Sequence, residues 1–139
     1  ENLLPELFAK KQTTFHFFSK GIKKRSRTLR LPFLMNFAKS TDTISLKLRG
    51  CNMSFWRNDF ISINGFNESF EGWGNEDSEM IQRLHNSGIK GKRLKFAGIV
   101  YHIYHKVKNK NKVKTNREIE KKTTAKKIIF TEEGIDKYL

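Results

Sequence analysis

With 139 residues the chain has the length of one domain and the material for one modest hydrophobic core. Its aromatic content of 12 %, mostly phenylalanine, excludes a disordered polymer, no apolar run approaches the roughly 20 residues that span a bilayer, and a single cysteine, Cys51, excludes an internal disulfide and fits a reducing compartment. The net charge of +14 points to an anionic partner: nucleic acid, anionic lipid headgroups or a phosphorylated substrate. The cations concentrate in Lys20 to Arg30 and Lys106 to Lys127 while Asn64 to Glu79 is acidic, which does not describe one continuous basic face built to track a duplex.

The chain begins ENLLPELFAKK, without an initiator methionine and without the charged-then-apolar layout of a signal peptide, and is read as an excised piece of a longer protein. Leu3 to Phe18 has apolar residues at roughly helical spacing, with Gly21 as a stop. The basic run from Lys23 to Arg30 is expected to be a solvated loop, and Pro32 to Ala38 a helical turn or a packing loop. Ser45 to Phe55 alternates imperfectly and is broken at Arg49-Gly50, the pattern of a strand with a kink at the glycine. A glycine there also lets a ligand approach the backbone.

Asn58 to Ile63 predicts a short helix capped by Asn58, followed by the turn signal Asn64-Gly65. The stretch Gly72 to Glu79, GWGNEDSE, sets an indole between glycines and runs into three acids. By itself it reads as a turn followed by an acid-loaded helix start. The helix over Glu76 to Ser87 has Asn75 as its cap, acids in the first turn where the dipole favours them, and an apolar stripe of Met80, Ile81 and Leu84. Gly88 is suited to its left-handed end. Glu79 and Arg83 stand at i,i+4, a pairing worth a few tenths of a kcal/mol on an exposed helix. Asp77 falls on roughly the same side as the apolar stripe, so its carboxylate is expected to point toward the protein.

Lys92 to Phe96 and Gly98 to Tyr104 read as two short strands or one bent one. From Thr115 a basic helix of weak amphipathicity is predicted, in a tail expected to be solvated and partly disordered.

Three groups of residues could carry chemistry. A general base must be a carboxylate held by a rigid element within reach of a substrate hydroxyl, and Asp77 in a first helical turn meets the second condition. Glu76 and Glu79 point elsewhere on the helical wheel and suit orientation or charge at the helix start, although capping alone would explain all three acids. His102 and His105 offer imidazoles for Mn²⁺ or Zn²⁺, but a straight strand would turn them to opposite faces and a site needs further ligands. The chain contains no GxxxxGK[ST], no GxGxxG, no zinc-finger spacing and no Asp-x-Asp pair.

Four motifs in order, RGCNMSFWR from Arg49 to Arg57, NGFNE from Asn64 to Glu68, GWGNED from Gly72 to Asp77 and HIYH from His102 to His105, resemble the acceptor-side half of GT-A glycosyltransferases. The likeness is to the C-terminal galactosyltransferase-like module of bacterial family 2 enzymes and of β-1,4-galactosyltransferases, and it covers about Leu46 to His105. It implies an α+β fold, the acceptor-side C-terminal half of a GT-A nucleotide-diphospho-sugar transferase, with a lead-in over 1–45, the module over 46–105 and a basic tail over 106–139.

The same likeness implies roles. Asp77 would be the general base; Trp73, Glu76 and Gly74 would bind the acceptor sugar, with Trp73 stacking on it; Arg49, Gly50 and Asn52 would lie on the donor side. His105 and His102 would join Mn²⁺ (or Mg²⁺), completed by an Asp-x-Asp upstream. Ser78 stands where the galactosyltransferases usually carry a further Asp, which leaves the acceptor open. The implied reaction is inverting transfer of Gal, GalNAc or a related hexose from a UDP-sugar to a saccharide or lipid-linked saccharide in bacterial surface polysaccharide synthesis. It would take place in the cytoplasm, with peripheral contact at the anionic inner face of the membrane and no specific nucleic acid. The piece by itself would be inactive. The rival expectation from charge alone is a polyanion or nucleic-acid binding module without catalysis, its binding steeply salt-dependent.

Overall fold

A computed structural model of the chain describes residues 29–37, 40–41, 50–92, 94, 96–100 and 110–139. The helix expected over Leu3 to Phe18 lies outside them, as do Arg49, His102 and His105. The chain divides into two compact units, Glu1–Lys39 with Arg93–His105, and Ser40–Lys92 with Lys106–Leu139.

In the first unit, Pro32–Phe37 forms a 3-10 helix, as a proline at its first position allows, since that N–H has no intrahelical partner to lose. The Leu31 amide donates to the Phe96 carbonyl at 3.0 Å and Leu34 closes back on Leu31. Of the stretch from Lys92 to Tyr104 read as two short strands or one bent one, Lys92 ends a two-residue strand, while the other residues described there, 94 and 96–100, lie outside any strand. Phe96 takes a φ of 63°, which turns the chain out of an extended path. Residues 98–100 lie outside any regular element.

The second unit contains the candidate site. Its strands are minimal: β1 (Ser40–Thr41) pairs antiparallel with β2 (Gly91–Lys92), Ser40 opposite Lys92. Its described α-helices are α1 at Arg57–Ser62, α2 at Glu76–Asn86 and α3 at Val113–Ala125. The kinked strand expected over Ser45 to Phe55 is replaced, from Gly50 on, by a 3-10 turn at Gly50–Asn52 and an irregular run to Trp56. The Gly50 amide is taken by the Asp77 carboxylate rather than by a neighbouring strand. Helix α1 starts one residue earlier than expected, after Trp56, which makes no side-chain cap.

All three helices stop in the same way. The residues after their last turns, Asn64 (φ 63°), Gly88 (φ 89°) and Lys127 (φ 50°), are left-handed. The next amide in each case reaches back five residues: Gly65 to Phe60 at 2.8 Å, Ile89 to Leu84 at 3.1 Å and Ile128 to Thr123 at 3.0 Å.

Packing explains why the tail is not a loose appendage. Among the described residues the buried apolar core is small, Ile63, Met80 and Leu84, with Met53, Phe60, Phe66, Ile81 and Ile89 packed around it. Phe60 stacks on Phe55 at 4.8 Å and meets Phe66 edge-on at 5.7 Å. Among the described residues six polar or charged ones are also buried: Asn64, Glu79, Arg83, Asn116, Thr123 and Thr131. Among the described residues no buried side-chain polar atom lacks a partner, as burial without a large penalty requires.

The centre of this polar layer is the Glu79–Arg83 pair, read from sequence as a helix-surface contact and found with both side chains buried. Arg83 Nε donates to both Glu79 oxygens, at 2.9 and 3.1 Å, and its terminal nitrogens donate to the carbonyls of Ile63 and Gly65. Thr123 on α3 donates its hydroxyl to Glu79 Oε1 at 2.9 Å. One ion pair therefore joins α2 to α3 and to the end of α1.

Two further asparagines fasten the C-terminal segment. Asn86 donates to the carbonyls of Thr123 (3.3 Å) and Ile128 (2.8 Å). Asn64 donates to the Thr131 carbonyl and to Asp136, and accepts from the Asp136 amide at 2.9 Å. The chain passes so close at Gly134 that a Cβ there would collide with the Asn64 carbonyl oxygen. The expected solvated tail is instead one wall of the unit, ending in a 3-10 turn at Ile135–Tyr138.

Candidate functional site

The mouth of α2 gathers the motifs. The loop before it needs unusual backbone: Gly72 and Gly74 have φ of 74° and 109°, and Asn75 is left-handed at 74°. Asn75 occupies the cap position but does not cap; its side-chain amide donates to Glu120 on α3 at 2.5 Å. A left-handed cap residue turns its side chain away from the first-turn amides, so helix start and tail helix are tied together instead.

Asp77 brings the first and third motifs into contact. Its Oδ2 accepts from the Gly50 amide at 2.6 Å and its Oδ1 from the Ser78 amide at 2.8 Å. A Cβ at position 50 would sit 3.2 Å from the Asp77 side chain, so glycine permits this approach. The carboxylate is half-buried, and each oxygen keeps lone-pair capacity beyond the one backbone donor it holds. Gly50 and Asn52, the described donor-side candidates, are exposed on the short 3-10 turn beside it.

Glu76 turns back onto the loop, accepting from the Gly74 amide at 3.1 Å. Together with Phe66, Asn67, Glu68, Phe70 and Gly72 it lines a cleft of about 220 Å³, below the roughly 300 Å³ at which small-molecule pockets usually begin. The structure thus joins the second motif to the third through Glu76, while Asp77 and Trp73 lie outside that cleft's lining. Trp73 is 45 % exposed, and the Lys110 ammonium stands 5.2 Å from its ring centroid. Beside it, Glu71 pairs with Lys112 at 3.2 Å.

Sequence reasoning missed Lys110, Glu120 and above all Asn116. Asn116 is buried in α3 and donates to the loop carbonyls of Glu71 (3.1 Å) and Gly74 (2.9 Å). One signal was available. Asparagine is a poor residue for a helix interior, and its presence there asks what its side chain bonds.

The metal ligands expected at His102 and His105 fall outside the described residues. Among the described residues no group of three or more His, Cys, Asp or Glu side chains could hold a metal ion. Nor is any described helix long and apolar enough to cross a membrane.

A mixed, mostly helical fold with an exposed indole, glycine-built loops and a carboxylate at a helix mouth fits the glycosyltransferase class. The family comparison makes the assignment: residues 35–106, a little over half of the chain, match the family described as the N-terminal domain of galactosyltransferase, and the chain belongs to that family. Among curated proteins it is similar to validoxylamine A glucosyltransferase of Streptomyces hygroscopicus subsp. jinggangensis (strain 5008), at 50 % identity over 38 residues, 27 % of this chain and 9 % of that protein. It is equally similar to the protein of the same name from subsp. limoneus, where the match covers 8 % of the relative. The chain therefore spans less than a tenth of the curated relatives it matches. No solved structure matches it.

Proposed function

We propose that the protein carrying this chain transfers a hexose, Gal, GalNAc or a close relative, from a UDP-sugar to a saccharide or lipid-linked saccharide acceptor with inversion. This chain would supply the acceptor side of a GT-A enzyme for bacterial surface polysaccharide. The observation that carries the reading is the 2.6 Å bond from the Gly50 amide to Asp77, which sets the RGCN and GWGNED motifs against one another at a helix mouth.

In the proposed reaction Asp77 takes the proton of the acceptor hydroxyl as its oxygen attacks the anomeric carbon. The anomeric carbon–oxygen bond to the diphosphate breaks on the opposite face, and its electron pair leaves with UDP. Trp73 offers its exposed indole face to the acceptor ring, and Glu76, in the cleft with the NGFNE loop, orients a hydroxyl. A divalent ion, Mn²⁺ or Mg²⁺, would be held by His105 and His102 with an upstream Asp-x-Asp, and would neutralise the departing diphosphate. The 139 residues alone are proposed to be inactive. The exposed Lys114, Lys121, Lys122 and Lys126 of the tail would add about 1 kcal/mol each to contact with an anionic inner leaflet, consistent with a cytoplasmic, peripheral placement.

UDP-sugar turnover by the protein containing its upstream sequence, with Mn²⁺, tests this. Asp77→Asn should abolish most of the rate; an unchanged rate would remove Asp77 as the base. The competing polyanion-binding reading rests on the charge of the chain alone.

A further inference from the structure

Residues 110–139 lie outside the stretch that defines the family, yet they reach the loop that carries Trp73. We infer that Asn116 is the positioning residue of the acceptor loop: its buried side-chain amide holds Trp73 in the orientation that receives a sugar ring. The inference deepens the transferase reading above and rests on it for the identity of the ligand.

The geometry is specific. Asn116 is 1 % exposed, and its amide donates to the carbonyls on both sides of the tryptophan, Glu71 at 3.1 Å and Gly74 at 2.9 Å. The Trp73 carbonyl lies at 3.5 Å from the same nitrogen. A loop with two glycines at positive φ has little intrinsic preference for one shape. Two carbonyls pointing inward need donors, and the Asn116 amide supplies one to each. The amide thus both satisfies the loop's inward-facing oxygens and leaves the indole on the outside, where Lys110 stands over it.

Glu120 on the same helix meets the end of this loop at Asn75, but the contacts nearer the end of the helix lie elsewhere. Thr123 meets Glu79, and the Thr123 and Ile128 carbonyls are held by Asn86. Asn86 therefore supplies a matched control, since its loss loosens α3 without touching the Trp73 loop.

The test compares Asn116→Ala and Asn116→Asp with Asn86→Ala. Because Trp73 and Trp56 are the two tryptophans of the chain, all are made in a Trp56→Phe background so that fluorescence reports Trp73 alone. In the folded 139-residue chain, both Asn116 variants should lower Trp73 anisotropy and raise its quenching by iodide, and Asn86→Ala should not. Asp at 116 is the sharper variant, since it keeps the shape and replaces the donor by an acceptor. In the protein containing its upstream sequence, the acceptor KM should rise about tenfold, the size of one net hydrogen bond, with kcat and donor KM within about twofold.

Equal changes in Asn116→Ala and Asn86→Ala at matched loss of stability would overturn the inference, as would an unaltered Trp73 signal in Asn116→Asp. If no form transfers sugar while the fluorescence differs as described, the transferase reading falls and the positioning role stands.

Discussion

The mouth of α2 and its buried flank carry carboxylates two residues apart, Asp77 and Glu79, put to different use. On the flank, Glu79 is 1 % exposed and both its oxygens are taken by Arg83 and Thr123. At the mouth, Asp77 is half-exposed, and the two donors it holds are backbone amides, one of them from a distant motif. A carboxylate whose oxygens are saturated by buried side chains is part of the scaffold. One that is oriented by main chain and half-exposed is left accessible to a ligand. The rotation of the helix between positions 77 and 79 separates the two roles.

Breaking the flank should have the largest effect on the fold. Arg83→Ala strands the Glu79 charge and leaves the Ile63 and Gly65 carbonyls without their donors, so it should cost about 3–5 kcal/mol. That would leave a domain of ordinary stability, about 5–15 kcal/mol, marginal at best. A urea melt of the 139-residue chain measures it; a loss below about 1 kcal/mol would mean that the pair is solvated and the contrast with Asp77 is lost.

Asp77→Asn should do the reverse. It retains an oxygen for the Gly50 amide and should move the melt by less than about 1 kcal/mol, while turnover by the protein containing its upstream sequence falls about 10²–10⁴-fold. A common loss of stability in both variants would erase the distinction between mouth and flank.

A smaller effect is expected where the tail meets the NGFNE turn. Gly134→Ala puts a methyl group against Asn64, and overpacking of this kind costs about 1–3 kcal/mol. The Asn64 bonds to Thr131 and Asp136 should loosen, read as faster amide exchange over 131–136, with the Glu79–Arg83 pair intact.

The smallest effect belongs to the exposed end of the tail. Hydrogen bonding to the Glu68 carboxylate, 2.5 Å away, holds the Lys137 ammonium above its ordinary pKa of 10.5. A raised folded-state pKa stabilises fully below 10.5 and is lost as pH climbs through the higher folded value. The difference in melting temperature between the parent and Lys137→Met should therefore be slight, constant across neutral pH, and disappear only in strong alkali. Added salt should shrink it. A difference that grew with pH would contradict this sign.

Much of the unit is legible in local sequence pattern. The apolar stripe and acidic first turn of α2, its stop at Gly88 and the short helix before Asn64-Gly65 follow from residues a few positions apart and are found within a residue or two. The basic helix read from Thr115 starts at Val113 but stops at Ala125, short of the Ile128-Ile129-Phe130 included in that reading. The helical wheel places Asp77 beside Met80, Ile81 and Leu84, and the structure bonds it to Gly50. The same kind of reasoning mistakes Asn75 for a cap, because residue type at a helix start says nothing of a left-handed φ. It also places Glu79–Arg83 on the surface, because i,i+4 spacing is the same whether or not a second helix covers it.

The sequence by itself determined where the helices form and which carboxylates gather at the mouth of α2, since these depend on side-chain periodicity and on backbone propensities a few residues long. Only the tertiary structure decided that the basic tail closes the unit, that Asn64 clasps it and that Asn116 holds the Trp73 loop. Those contacts join an asparagine side chain to groups about 40 to 70 positions away. The hydrogen-bonding groups of an asparagine are the same in a loop, a cap or a buried clasp, and only the donors and acceptors that folding brings to it select among them.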